Sequence, residues 1–317
     1  MAGRDPNRHR RLSERPSYST LSRTGLVLLA LLSVAWGVNW PLIKIAIADI
    51  PELTFRGACT ATGAAGLFLI ARGAGLPLAM PRRTWLWIAA AALFNIAGWN
   101  ILMIYGIGLV SAGRAAILGY TMPLWGVALS TLVLGERLDL RRGFGLALGL
   151  GGMGVLMGAD AALLDSAPLG ALLIAAAAMS WAAGTVILKR AALSVPVTVS
   201  TAWQLVLGGV PIVLAALVLE PGRWGPVGTA SALAALYNMT VVFVFCYWAW
   251  FRILDEVAVG VAAISTLMIP IIGVFAGALV LGEPIGWQEI TALALVVAAL
   301  IAVLRPGRAA AAAARGA

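Results

Sequence analysis

The sequence predicts an all-α polytopic membrane protein whose ten transmembrane helices form two inverted five-helix repeats. Of the 317 residues, 62% are apolar and 11% are charged, and the mean hydropathy is +0.97. No soluble core could bury that much hydrocarbon, so lipid is the expected solvent. A 24-residue stretch also occurs twice, and the basic residues concentrate in alternate loops. These two patterns predict the repeat and its inversion.

The repeated stretch covers residues 113–136 and returns as 260–283, with 12 of 24 positions identical. The identities include the central Pro123/Pro270 and the closing Leu-Gly-Glu. A second repeated pattern lies upstream, where an offset of 145 residues aligns Trp36, Lys44 and Pro51 with Trp181, Lys189 and Pro196. The chain therefore contains two copies of a unit of about 145 residues. Because each copy holds an odd number of spans, the second must enter the membrane inverted.

Apolar runs of about 20 residues, the length that crosses a bilayer, divide the chain further. A basic arm (1–23) precedes the first repeat (24–159), and the second repeat (168–304) precedes an Ala/Arg tail (305–317). The first apolar run is too long for a signal peptide, so we interpret it as a retained span. The predicted spans are 24–47, 52–71, 84–107, 113–134, 142–159, 168–190, 197–219, 229–251, 257–281 and 286–304.

The loop charges predict the orientation. With a cytoplasmic N-terminus, the inner segments carry 18 of the 22 Lys and Arg residues, which is the positive-inside pattern. Both termini are then cytoplasmic. The four remaining basic residues are Lys44, Arg56, Arg114 and Arg223.

Several function classes lack the residues they need. Cys59 and Cys246 sit inside apolar runs, and the single histidine, His9, lies in the polar arm. The sequence offers no metal-ligand spacing, no Cys/His nucleophile pair and no nucleotide or flavin fingerprint. We therefore predict no catalytic residue, no metal and no cofactor. The net charge of +9 does not indicate nucleic acid, because the basic residues lie at the ends of apolar runs.

Three features together resemble the EamA-type members of the drug/metabolite transporter superfamily. They are the opening AWGVNWPLIKIAI, the Pro51…Phe55-Arg56 start of the second span, and the proline-centred fourth span ending in LGE. The resemblance covers 24–304 and implies a central substrate cavity, residence in a bacterial inner membrane, and export of amino acids or small metabolites. The second copy departs from the pattern, with Trp181-Ala-Ala-Gly in place of Trp-Gly-x-Asn and Thr201 opposite Arg56.

Polar and aromatic residues within the spans are the candidates for lining that cavity. The amides cannot face lipid cheaply, so they should point inward, either to bind substrate or to join helices. The mid-span, repeat-related Trp36 and Trp181 either line the cavity or pack in the core. The candidate substrate-binding residues are Trp36, Asn39, Trp40, Asn95, Tyr105, Tyr120, Trp181, Trp203, Gln204, Tyr237 and Asn238.

Five residues are hinge or gate candidates. Pro123 and Pro270 lie near mid-membrane, where a lost helical hydrogen bond marks either a hinge beside a cavity or a packing kink. Lys44 and Arg56 approach the outer face and form either an exit gate or a local ion-pair cluster with the acidic loop between them. Arg114 could receive a carboxylate at the outer mouth or extend to the interface.

Carboxylates are scarce in the spans, which leaves the energy source open. Glu289 is either a helix-start carboxylate or a proton-coupling group. Glu136 and Glu283 should serve in helix-end hydrogen bonding.

The predicted function is an exporter working by alternating access, with a small-molecule substrate and the lipid bilayer as partners. Proton exchange and facilitated diffusion both remain open, as do a monomer and a homodimer. An enzyme acting on a lipid or isoprenoid, or a channel, is the alternative.

Overall fold

A computed structural model describes residues 23–135, 140–161, 167–223, 225–256 and 268–304, and in these ranges every regular element is helical. The predicted all-α class is confirmed. The helices in these ranges are α1 (Arg23–Ala46), α2 (Glu52–Gly73), α3 (Arg82–Leu109), α4 (Ala112–Leu134), α5 (Leu140–Ala161), α6 (Ala167–Ala191), α7 (Val197–Leu219), α8 (229–256), α9 (Met268–Leu281) and α10 (Trp287–Leu304).

Seven of these helices, α1 to α4 and α6 to α8, are long and apolar enough to cross a membrane. The other three contain shorter apolar stretches of 10–17 residues within the described ranges. Large apolar side chains point outward from the bundle, among them Leu132, Leu279 and Leu86, each about four-fifths exposed. Such a surface is stable against lipid and would aggregate in water.

The sequence repeat returns in the helix boundaries. The ends of α1 and α6 and the starts of α2 and α7 are 145 residues apart, whereas the ends of α3 and α8, the ends of α4 and α9, and the starts of α5 and α10 are 147 apart. The two extra residues lie in α7, which has 23 residues against 22 in α2, and in the loop that follows it. The pairs of boundaries are Ala46/Ala191, Glu52/Val197, Leu109/Glu256, Leu134/Leu281 and Leu140/Trp287.

The repeated Leu-Gly-Glu has a structural reason at its glycine. Gly135 and Gly282 follow the last residues of α4 and α9 with φ of 68° and 66°. This left-handed backbone ends a helix, and it strains any residue that carries a Cβ. Both copies thus end their fourth helix in the same way.

The helices pack in a pattern that is unchanged when the two halves are exchanged. Helix α1 packs on α8 and α9, and α6 packs on the equivalent α3 and α4. Helix α2 packs against its counterpart α7, α5 packs against α10, and α4 meets α9. Each half therefore buries its first helix against the other half, and the interface between the halves runs through the middle of the bundle.

Close approach of α7 to α3 depends on Gly208, and the Gly208→Ala variant should unfold more easily. An added Cβ would meet the Cβ of Ile96 and lie 2.7 Å from the carbonyl oxygen of Ala92, so the backbones must separate. We expect a loss of about 2 kcal/mol, measured by thermal unfolding in detergent. Gly108→Ala is the control, because its Cβ enters open space on α3. Equal midpoints for the two variants would contradict the tight contact.

Candidate functional site

Helix α4 is interrupted at the level of its proline. Its first segment ends at Gly119, Tyr120 and Thr121 form a turn, and a second segment begins at Met122. Pro123 has no N–H to donate to the carbonyl of Gly119, four residues earlier, so one bond of the helical ladder is missing at this point. Pro270 is buried at the start of α9, and the residues before Met268 lie outside the described part of the chain.

Aromatic side chains from five helices form three contacting pairs, and one of these pairs includes Tyr120 of the interruption. The rings of Trp40 and Tyr120 are 6.5 Å apart, and a Cβ at Gly119 would lie 2.6 Å from Cη2 of Trp40. The rings of Trp99 and Trp181 are 5.5 Å apart. Trp36 lies 6.4 Å from Tyr247, edge to face. We call these six residues the central aromatic group: Trp36, Trp40, Trp99, Tyr120, Trp181 and Tyr247.

The group brings together four of the predicted cavity residues, namely Trp36, Trp40, Tyr120 and Trp181. It draws on both halves, since α1, α3 and α4 belong to the first and α6 and α8 to the second. Trp40 is only 5% exposed, whereas the other five side chains of the group are partly exposed. Aromatic faces of this kind can hold the apolar part of a small molecule by stacking.

Two predicted amides bind each other across the interface between the halves. Asn95 donates through Nδ2 to Oε1 of Gln204 at 3.1 Å, and Gln204 reaches Ser200 through its own amide nitrogen. This contact joins α3 to α7. Asn238 donates to the carbonyl of Ala234. The buried amide oxygens of Asn39, Asn95, Asn100 and Asn238 have no hydrogen-bond partner in the described residues.

Both third helices are wound more widely where their buried asparagines lie. Leu93–Gly98 of α3 and Asn238–Cys246 of α8 are π-helical, and they contain Asn95 and Asn238 respectively. Shifted by 147 residues, the first segment falls inside the second. Such segments occur frequently at functional sites, because they turn side chains away from the regular helical register.

Three other candidates lie outside the central aromatic group. Trp203 donates through Nε1 to the carbonyl of Leu78 at 2.9 Å and packs on Trp85, 4.8 Å away, so it ties down the loop between α2 and α3. The hydroxyl of Tyr237 donates to the carbonyl of Ala35 and joins α8 to α1. Tyr105 lies among the charges of Glu52, Glu220 and Arg223 at the end of the bundle.

That end of the bundle carries three ion pairs between the halves, and we call it the ion-pair face. Lys44 Nζ lies 3.3 Å from Oε1 of Glu283, Arg114 Nε lies 2.6 Å from Oε1 of Glu289, and Arg223 Nη2 lies 2.8 Å from Oε2 of Glu52. The predicted local cluster of Lys44, Arg56, Asp49 and Glu52 was wrong. Lys44 and Glu52 find their partners in the second half instead.

Carboxylates of the second half also cap helices of the first. Glu283 accepts hydrogen bonds from the N–H groups of Ala112 and Gly113, which begin α4. Glu220 does the same for Leu53 and Thr54 at the start of α2. The predicted helix-end role of Glu283 is confirmed, whereas Glu136 lies outside the described residues. Glu220 was missed, although a glutamate followed by Pro-Gly at the end of a span was a visible signal.

Glu289 serves the start of its own helix. Its Oε2 accepts from the N–H of Gly286 at 2.8 Å, while Oε1 pairs with Arg114. The helix-start interpretation is thus confirmed, and Arg114 has a carboxylate partner within the protein.

In the loop after α1, Asp49 accepts from Ser231 Oγ at 2.7 Å and from the N–H of Gly228 at 2.9 Å. These bonds favour the ionised carboxylate and hold the pKa of Asp49 below its ordinary value.

Arg56 differs from every other basic residue of the ion-pair face. It is 2% exposed, and its side chain turns into the bundle, where Nη2 contacts Sδ of Met103 at 3.7 Å. No carboxylate pairs with it in the described ranges, and its Nε has no acceptor.

Two surface cavities are distinct from the central aromatic group, and the first is lined in part by Leu53, Thr54 and Glu220. An apolar groove of about 550 Å³ runs between α2 and α7 beside Gly57 and Val213. A smaller cavity of about 320 Å³ lies at the opposite end of the bundle, between Thr84 and Leu193. In the described part of the chain no group of three or more His, Cys, Asp or Glu residues could hold a metal.

Comparison with known proteins supplies a family pattern. The EamA-like transporter family matches residues 23–158 and again residues 168–305. The uncharacterized transporter YvbV of Bacillus subtilis is 31% identical over 93% of this chain and 96% of its own. A probable amino-acid metabolite efflux pump of Salmonella typhimurium is 26% identical over 88% of this chain and 94% of its own. A crystal structure with 21% identity superposes with a TM-score of 0.63 over 88% of this chain and 96% of that chain, which supports the fold.

Proposed function

Since the chain belongs to the EamA-like transporter family, we propose that it is an inner-membrane secondary transporter that exports amino acids or related small metabolites. The observation that carries the proposal is the central aromatic group, which is assembled from both halves on the interface between them. A site in that position can be opened by moving one half against the other. The substrate class is supported by the relative named as an amino-acid metabolite efflux pump.

The transport cycle is alternating access. The helix contacts between the two halves stay the same when the halves are interchanged. A second arrangement of similar energy is therefore available, in which the two halves have exchanged roles. In the arrangement of this structure, the three ion pairs hold the ion-pair face closed. Opening that face requires Lys44, Arg114 and Arg223 to leave their partners, while the opposite face closes.

The orientation follows from the ten predicted spans, as two inverted repeats with cytoplasmic termini. Helix α1 then ends at Ala46 on the outer side, which makes the ion-pair face the outer face. Net export would end with the opening of this face. Glu52 and Glu289 are both ion-paired in this arrangement, and the proposed cycle is substrate exchange without a coupling proton.

The test is counterflow in proteoliposomes. Vesicles are loaded with one unlabelled amino acid or aromatic metabolite, and uptake of the labelled counterpart is followed without an ion gradient. Saturable accumulation with one compound is the expected result. Linear, non-saturating uptake would indicate a channel, and chemical conversion of the compound would indicate an enzyme. No accumulation with any amino acid or aromatic metabolite would overturn the proposed substrate class.

Removing an indole from the central aromatic group should weaken substrate binding more than folding. For Trp36→Ala and Trp181→Ala we expect about tenfold weaker apparent affinity in counterflow, the worth of one lost aromatic contact. Trp85→Ala is the matched control, because it removes an indole from the far end of α3. Loss of folded protein with unchanged affinity in the surviving fraction would assign both residues to core packing.

A further inference from the structure

Arg56 is a buried cation whose surroundings do not satisfy it. The guanidinium carbon lies 5.0 Å from the ring centre of Phe55, and Nη2 contacts Sδ of Met103. A thioether is a weak acceptor, and the Nε–H has none. A charge this deep is stable only when it is paired and hydrogen-bonded, because it has lost its hydration. Within the described ranges, the protein therefore holds a basic group that lacks an anion.

The usual anion for Arg56 is present but occupied elsewhere. Glu52 lies one turn earlier on α2, at the i−4 spacing at which glutamate and arginine commonly pair. It binds Arg223 of the second half instead. Glu220 lies above the first turn of α2, and there it accepts from Leu53 and Thr54. Both nearby carboxylates thus bind partners on the ion-pair face, and Arg56 lies in the interior without either of them.

The position of Arg56 places it between the ion-pair face and the central aromatic group. It lies four residues into α2, about 6 Å below the helix start. Its contact residue Met103 lies one helical turn after Trp99 of the central aromatic group on α3. A molecule held on the aromatic rings would therefore have Arg56 within reach as it moves toward that face.

We propose that Arg56 binds the carboxylate of the transported molecule, so that the substrates are small carboxylic acids with an apolar or aromatic side group. This inference rests on the proposed transport function. The planar guanidinium matches a carboxylate through two parallel hydrogen bonds. The aromatic group receives the rest of the molecule, and the substrate anion supplies the charge that the closed protein lacks.

The experiment compares molecules that share a phenyl ring: L-phenylalanine and L-phenylalaninol differ in the carboxylate alone, and 3-phenylpropionate keeps the carboxylate but lacks the amine. Binding of L-phenylalanine, 3-phenylpropionate and L-phenylalaninol to purified protein is measured by calorimetry, and counterflow of the same compounds is measured in proteoliposomes. We expect the wild type to bind the two acids about tenfold or more tightly than the alcohol, the value of a charge-assisted hydrogen bond. Arg56→Met should abolish that preference, and Arg56→Lys should retain part of it.

Arg72→Gln is the control, because it removes an exposed cation from the other end of α2 and should keep the wild-type preference. Arg56→Met should melt no earlier than the wild type, since it removes an uncompensated buried charge. If Arg56→Met does not fold, the test is the preference of Arg56→Lys for the acids over the alcohol, which should be smaller than that of the wild type. A wild type that prefers no acid, or an Arg56→Met variant that keeps the full preference, overturns the inference. Counterflow of the alcohol as fast as of the acids overturns it but leaves transport intact. Acid binding without any counterflow overturns the transport function and leaves the carboxylate site.

Discussion

Glu220→Ala should lower the free energy of unfolding by about 3 kcal/mol. The Glu220 carboxylate is 2% exposed and accepts hydrogen bonds from the N–H of Leu53 at 2.7 Å and from the N–H and hydroxyl of Thr54 at 2.8 and 2.6 Å. Alanine leaves these donors at the start of α2 without their acceptor and removes a negative charge from the positive end of the helix dipole. Thermal unfolding in detergent measures the loss.

Two variants separate the contribution of the capping hydrogen bonds to stability from that of the negative charge. Glu220→Gln keeps one accepting oxygen and should lie between the wild type and Glu220→Ala. Glu52→Gln removes a more exposed carboxylate, paired with the half-exposed Arg223, and should cost less than about 1 kcal/mol. If Glu52→Gln lowered the midpoint as much as Glu220→Ala, the capping bonds would not be the main contribution.

The helices could be predicted because their signals are local. A bilayer requires about 20 apolar residues per crossing, and lipid cannot hydrogen-bond an open backbone, so each apolar run becomes a helix. Pro123 is a weaker local signal, since its missing N–H removes one bond from α4, whereas α1 and α7 continue through Pro41 and Pro211. The repeated Leu-Gly-Glu likewise marked the ends of α4 and α9, because only glycine adopts their left-handed backbone freely.

The partners of the charged residues could not be predicted in the same way. Lys44 and Glu283 are 239 positions apart, and which carboxylate meets the lysine depends on how the halves dock. Sequence proximity favoured Asp49 and Glu52 and was misleading, because both lie on a face where the second half supplies competing partners. The inward turn of Arg56 follows from the same competition for Glu52.

The amides show where composition is ambiguous. Asn95 and Gln204 were expected to point inward, and they do, but whether an inward amide binds substrate or a neighbouring helix depends on its distance from other amides. At 3.1 Å the amide nitrogen of Asn95 is bound by Gln204, whereas the amide oxygen of Asn95 has no partner in the described residues. The π-helical winding around Asn95 and Asn238 has no residue signature in the sequence, since any residue can occupy the wider turn.

Pro123→Ala should slow transport by about two- to tenfold while the protein folds normally. Alanine restores an N–H that can donate to the carbonyl of Gly119 and join the two segments of α4. One net hydrogen bond, about 0.5–1.5 kcal/mol, then stabilises the closed arrangement and adds to the barrier for exchange. The interruption adjoins Trp40 and Tyr120, so a continuous helix would also stiffen the central aromatic group. Initial counterflow rates at saturating substrate measure the effect.

Pro211→Ala distinguishes a hinge from a general effect of removing a proline. Pro211 lies inside α7, and its counterpart in the first copy is not a proline, whereas Pro123 recurs as Pro270. Substitution of a proline that only bends a helix should raise stability and leave the rate unchanged. Pro270→Ala should resemble Pro123→Ala if both fourth helices move in the cycle. Unchanged rates in both variants would reduce these prolines to packing kinks, and the exchange between the halves would then have to proceed without a break in either fourth helix.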